Sequence, residues 1–82
     1  MIEIHYFASI RERLACDRET LDTAPPTVAA LVDALVERHG ETWQRVLRDG
    51  RVLVAVNQEV ASLQSALREG DEVAFFPPVT GG

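Results

Sequence analysis

Residues 25–40 read PPTVAALVDALVERHG. The two prolines break the chain, and Thr27 then stands where an N-cap belongs, its hydroxyl free to accept an orphan backbone N–H. Val28, Leu31, Val32, Leu35, Val36 and His39 come next at i, i+3, i+4, i+7, i+8 and i+11, which predicts one amphipathic helix. Asp33, Glu37 and Arg38 occupy the opposite face. Gly40 is expected to close the helix as a left-handed C-cap. Ala30 stands where a full capping box would place a glutamate, a departure that concerns helix stability by about 1 kcal/mol or less. A helix with a single apolar stripe needs a single apolar surface to lie on.

The flanking segments supply that surface. In Met1–Phe7, Ile2, Ile4 and Tyr6 point one way and Glu3, His5 and Phe7 the other, the alternation of a half-buried strand. Residues 8–16 (ASIRERLAC) read as a loop or one helical turn, and Arg18 to Asp22 as a second strand. Glu41 to Leu47 suits a short second helix with Trp43 packed inward. Asp49-Gly50 signals a turn, and the apolar, β-branched run Arg51 to Val56 is expected to be a central strand. Asn57-Gln58 turns it, Glu59 to Ala61 adds a short strand, and Glu69-Gly70-Asp71 turns again into the last strand, Glu72 to Phe76. The fold class is therefore α+β: a mixed sheet with one main helix across one face.

One face of that sheet is left open. If Ile2, Ile4 and Tyr6 meet the helix, Phe7 cannot, and if Val73 and Phe75 meet it, Phe76 cannot. Two rings with Val60 close by on the solvent side suggest a partner surface. The plainer reading is that a small sheet leaves a ring or two outside, since much of any protein surface is apolar.

Composition narrows the function. The 82 residues make one domain, in which roughly 60–65% of the unfolded chain's surface can be buried, leaving little room for a deep catalytic cavity. A net charge of −5 argues against nucleic-acid binding through a basic footprint and against anionic membranes. The single cysteine, Cys16, forms no internal disulfide and fits a reducing compartment. The N-terminal MIEIHYF is no signal peptide and no apolar run approaches the ~20 residues of a membrane helix, so a cytoplasmic protein is expected.

Convergent chemistry is hard to find. His5 and His39 lie on different elements: His5 reads as a surface residue of the first strand, and His39 as a packed or helix-terminal histidine. One cysteine and two isolated histidines make no metal site. The 13 carboxylates are scattered as on a solvated surface, and no glycine-rich phosphate loop is present. Cys16 reads as a small buried hydrophobe or an idle loop residue.

The shaped feature is the end, FFPPVTGG. Pro77 and Pro78 stiffen the exit from the last strand. Val79 and Thr80 favour extended backbone. Gly81 and Gly82 carry no Cβ and could thread a passage too narrow for side chains. Residues 77–82 reach at most about 20 Å beyond a domain of residues 1–76. The reactive group expected at the tip is the Gly82 α-carboxylate, which must be activated, for example as an acyl-adenylate, before a nucleophile can take its acyl group. The bland alternative is a floppy end.

The strand order resembles the ubiquitin-like β-grasp fold, and Gly70 to Gly82 (GDEVAFFPPVTGG) resembles closely the end of the sulfur-carrier small subunits of molybdopterin synthase. Tyr6-Phe7-Ala8, Arg11-Glu12, Pro26-Thr27-Val28 and Ala55-Val56-Asn57-Gln58 extend the likeness along the chain. The resemblance implies that Gly82 is adenylated by an E1-like enzyme using ATP and converted to a thiocarboxylate. It implies that the tail, Val79 to Gly82, enters a large subunit and gives sulfur to cyclic pyranopterin monophosphate held there. It implies an assembly of two small and two large subunits, with Phe7, Val60 and Phe76 as the contact patch. The chain would bind no cofactor or metal and would donate sulfur without being the catalyst. The rival readings are a sulfur carrier for thiamine or tRNA thiolation, a protein modifier, and a plain interaction domain.

Overall fold

The first strand fixes the sidedness of the whole sheet. Ile2, Ile4 and Tyr6 are at most 1% exposed, whereas Glu3 and His5 between them are only half-buried, so β1 (Ile2–Tyr6) presents one apolar face to a core. The computed structural model describes residues 1–78; Val79, Thr80, Gly81 and Gly82 lie outside the described residues. After β1 come α1 (Ala8–Leu14), β2 (Arg18–Leu21), α2 (Val28–His39), α3 (Glu41–Leu47), β3 (Leu53–Val56), β4 (Glu59–Ala61) and β5 (Glu72–Phe76).

The five strands form one mixed sheet in the order β2-β1-β5-β3-β4. β5 runs parallel to β1, with Ile4 opposite Val73 and Tyr6 opposite Phe75, and the other neighbours pair antiparallel. This is the β-grasp arrangement, with α2 as the main helix on one face. Val28, Leu31, Val32 and Leu35 of α2 are buried with Ile2, Ile4, Tyr6, Val73 and Phe75 in a single core. Tyr6 and Phe75 stack across the β1–β5 pair with ring centroids 6.0 Å apart.

The start of α2 is held by Thr27 and by the loop ahead of β5. Thr27 caps as predicted, accepting from the Ala30 N–H at 3.2 Å. The two preceding N–H groups donate to the chain ahead of β5: Val28 to the Ser65 carbonyl at 3.0 Å and Ala29 to the Leu63 carbonyl at 2.9 Å. The loop thus satisfies two further first-turn donors, at the positions between the N-cap and N3 groups that a capping box reaches.

Several sequence expectations change. Residues 8–14 form a two-turn helix rather than a loop or one turn, because Ile10 and Leu14 fall on one face and are buried. Gly40 takes φ 94°, ψ −151°, which is positive in φ but not the left-handed helical conformation; it ends α2 and serves at once as the N-cap of α3. The central strand is β5, while β3 begins only at Leu53 and lies second from the edge. Val36 is only partly buried against the edge of the helix–sheet core, and His39 lies outside it. His39 instead stacks on Trp43 with centroids 3.8 Å apart.

That stack belongs to a polar network closing the β2 edge. The Trp43 indole donates to the Tyr6 hydroxyl at 3.0 Å, and the Tyr6 hydroxyl donates to Glu19 at 2.6 Å. Glu19 also accepts from Arg38 at 3.1 Å and from the His39 Nε2 at 2.8 Å. Burial pushes the Tyr6 phenol far above its ordinary range, so it remains a donor. Partial burial alone would raise the Glu19 carboxyl, but hydrogen bonds from Tyr6, His39 and Arg38 outweigh it and hold the group below the usual carboxylate range. A depressed folded value means that the stabilisation is present above the unfolded value of about 4.3 and is lost as pH falls through the folded one. Glu19→Gln should therefore be less stable than the parent at neutral pH. In urea titrations the gap should narrow as pH drops from about 5 to 3; a gap independent of pH would contradict this account.

Candidate functional site

Because side chains alternate, the residues left off the core face share the opposite face of the sheet. Register places His5 beside Ala74, Ala74 beside Ala55, and Ala55 beside Val60, in a row across four strands. One step toward the exit of β5, Phe76 pairs with Leu53, and Phe7 comes directly after β1. Phe7 is 46% exposed, Leu53 39% and Val60 83%, while Phe76 is half-buried among them. The three residues expected to form a contact patch therefore lie on one face.

Leu53 was missed because its run is apolar at every position and only the strand pairing shows which residues face out. In RVLVAV, Val54 and Val56 pair with Phe75 and Val73 on the core side, so Leu53 and Ala55 must face out. Reading the run as a central strand did not assign its faces.

The face has a polar end and an apolar end. At the start of β1 and β5, Glu3 lies opposite Glu72, and the His5 Nε2 sits 3.0 Å from Glu3 and 3.9 Å from Glu72. The His5 ring stacks on Phe7 with centroids 6.1 Å apart, joining the two ends. The apolar end is where the chain leaves the sheet. The Phe7 N–H donates to the Phe75 carbonyl at 3.0 Å, continuing the parallel ladder to the last residue before α1.

Beyond Phe76 the exit is walled. Pro77 and Pro78 line a cleft of about 220 Å³ with Ser9, Ile10, Arg13 and Arg51. Arg51 donates to Asp49, and these hydrogen bonds hold the Asp49 carboxyl below the usual range. The base of the tail thus shares this cleft with α1 and the segment before β3. The tail positions Val79, Thr80, Gly81 and Gly82, singled out in the sequence, lie outside the described residues.

Other places are poorer candidates for chemistry. A cavity of about 410 Å³ opens between α2 and the β3–β4 edge, lined mostly by apolar side chains including Val32, Leu47, Val54 and Phe75. Its charged groups, Asp33, Arg48 and Asp49, are already paired, with Arg48 held by Asp33 and Asp49 by Arg51. Among the described residues no group of three His, Cys, Asp or Glu could hold a metal ion, and no helix is long and apolar enough to cross a membrane. Cys16 is half-buried, packed against the core, and donates weakly to the Arg18 carbonyl at 3.5 Å. Burial first, and the nearby Glu19 next, push its thiol above the ordinary range.

An arginine at Val60 should change the stability of the isolated domain by less than about 0.5 kcal/mol, since the side chain touches little of its own fold. Phe75→Ala, one row inward, should cost about 3–5 kcal/mol. Similar losses in thermal melts of the two variants would show that the face is not free.

Comparison with known proteins agrees with this geometry. The chain is 44% identical to the molybdopterin synthase sulfur carrier subunit of Escherichia coli K12 over 82 residues, covering all of both chains. It is 42% identical to the subunit of that name from Mycobacterium tuberculosis, covering 99% of this chain and 96% of the relative. The crystal structure of small archaeal modifier protein 1 from Haloferax volcanii superposes with a TM-score of 0.77 at 34% identity, covering 95% of this chain and 97% of that one. A profile of the ThiS family matches residues 4–82, and the chain belongs to that family.

Proposed function

We propose that this chain is the sulfur-carrier subunit of a molybdopterin synthase, working in the cytoplasm. The observation that carries the reading is the placement of Phe7, Leu53, Phe76 and Val60 on one open face, at whose apolar end the proline-stiffened tail departs. A partner that covers this patch receives the tail in a fixed direction. The full-length similarity to sulfur carrier subunits supports the choice of partner and product.

The chemistry resides in Gly82. Its carboxylate attacks the α-phosphorus of ATP on an E1-like enzyme, forming an acyl–phosphate anhydride and releasing pyrophosphate. A sulfur nucleophile from a donor then attacks the carbonyl carbon; a C–S bond forms, the C–O bond to AMP breaks, and AMP leaves with the electron pair. When the nucleophile is hydrosulfide, loss of its proton leaves the thiocarboxylate; when it is a persulfide, a donor thiol cleaves the S–S bond of the acyl disulfide, forms a disulfide itself and releases the thiocarboxylate. The tail, Val79 to Gly82, enters the large subunit, where the sulfur is transferred to cyclic pyranopterin monophosphate. Side chains at the last two positions would obstruct so narrow an approach, whereas glycine does not. The assembly joins two small and two large subunits. This chain supplies sulfur and docking surface, binds no cofactor itself and leaves catalysis to the large subunit.

A second reading, a protein modifier that passes the Gly82 acyl group to a lysine, is favoured by the similarity to small archaeal modifier protein 1. The two part at the acceptor. In a reconstituted system with large subunit, adenylating enzyme, ATP and sulfur donor, removing Gly81 and Gly82 should abolish sulfur transfer while leaving the fold and most of the large-subunit affinity. Phe76→Ala should weaken association by about 2–4 kcal/mol, and Phe76→Arg by more. Full transfer by the truncated chain, or unchanged binding by Phe76→Arg, would refute the proposal.

A further inference from the structure

An activated carboxyl reacts with any competent nucleophile it can reach. The chain's own surface is the nearest supply, since a group tethered by a few residues meets the neighbours it can reach at about millimolar effective concentration. All eight basic side chains are arginine; these 82 residues contain no lysine. The guanidinium is never deprotonated under these conditions and has no free electron pair to offer, whereas a lysine amine has one in its neutral form.

Two other nucleophiles of the amine and thiol classes need a structural account. The first is the Met1 amine. Because β1 and β5 are parallel, Met1 lies at the opposite end of the sheet from the tail: its carbonyl accepts from Gly70 at 2.9 Å and its amine pairs with Glu69. From there to Pro78 the extended chain covers about 20 Å. The four residues beyond Pro78 span at most about 14 Å, so the tip cannot turn back to the amine. The second is Cys16, which lies at the tail's end of the sheet: the Tyr6 N–H donates to the neighbouring Asp17 carbonyl at 2.9 Å. The thiol is half-buried against the core and held at the Arg18 carbonyl at 3.5 Å, and burial first, then the negative charges of Glu19 and Asp17, disfavour the thiolate, the form that attacks carbonyls.

Resting on the reading that Gly82 is activated, we propose that the domain is built as a one-way donor. It presents no lysine amine, no reachable N-terminal amine and no favoured thiolate to its own activated end, so acyl transfer to an amine or a thiol takes place on another molecule. In the reaction avoided, an amine attacks the carbonyl carbon, a C–N bond forms, the C–O bond to AMP breaks, AMP leaves with the electron pair and the amine's proton passes to water. Any adduct made on another protein would consist of single units, because no lysine is available to extend it into a chain.

The test uses the full 82-residue chain carrying a C-terminal 2-mercaptoethanesulfonate thioester, incubated at neutral pH and monitored by intact mass spectrometry. It needs no activating enzyme, so its outcome is independent of whether the chain carries sulfur in the cell. The parent should decay by hydrolysis, without internal amide or covalent dimer. Arg13→Lys places an amine in the cleft shared with Pro77 and Pro78, keeps the charge, and should raise internal amide at least about tenfold, given millimolar effective concentration. Arg68→Lys, at the far end beside Asp71, should form none. The inference is overturned if the parent cyclises or dimerises as readily as Arg13→Lys. It is also overturned if Arg13→Lys reacts no faster than the parent, or if a parent adduct maps to Met1 or Cys16.

Discussion

The parallel pairing of the first strand with the last is the contact on which the rest depends. It joins the two ends of the sequence at the centre of the sheet and buries Ile2, Ile4, Tyr6, Val73 and Phe75 beneath α2. Because the strands run the same way, both leave the sheet at the same end. One continues into α1 through Phe7, and the other into Pro77 and the tail through Phe76. A shift of one residue in this register would exchange the two faces, sending Phe75 to solvent and Phe76 to the core. The position of the docking patch beside the tail is thus a consequence of how the core is built.

The same geometry separates tasks. Stability is concentrated on the α2 side of the sheet and in the Tyr6–Glu19–Trp43–His39 network along its β2 edge. The opposite side is lightly committed: alanines occupy its middle, and its larger side chains, Phe7, Leu53 and Val60, make little use of their own fold. A small domain can therefore offer apolar surface to a partner without drawing on the residues that hold it folded. Its acidic character, −5 overall, is carried to this face only at the Glu3–Glu72 end, away from the tail.

Much of this was legible in the sequence because two periodicities were clean. The 3.6-residue period of Val28 to Leu35 and the two-residue period of Ile2 to Tyr6 each found the core face, and together they required an open face bearing Phe7 and Phe76. Where the pattern was ambiguous, the reading failed. The β3 run is apolar at every position, so neither its outward Leu53 nor its place beside the centre could be read from it. In α1 only Ile10 and Leu14 mark the buried face, too few to distinguish a helix from a loop. Gly40 announced a chain reversal, but a positive φ suits both a left-handed cap and a junction between two helices, and only the packing of α3 against α2 decides between them. The backbone acceptors at Leu63 and Ser65 that cap α2 are invisible to any side-chain pattern. The importance of the tail was read from its chemistry, the proline pair leading to glycines without side chains.

The central claim is that Gly82 carries sulfur at the end of this chain. Intact-protein mass spectrometry on material purified from its own cells, with fragmentation to place the change, tests it most directly. The account predicts a fraction of the chain in which one oxygen of the Gly82 carboxylate has been replaced by sulfur, lost when the adenylating activity is removed. A chain bearing only the unmodified carboxylate while molybdopterin is being made, or sulfur located on Cys16 instead, would contradict it.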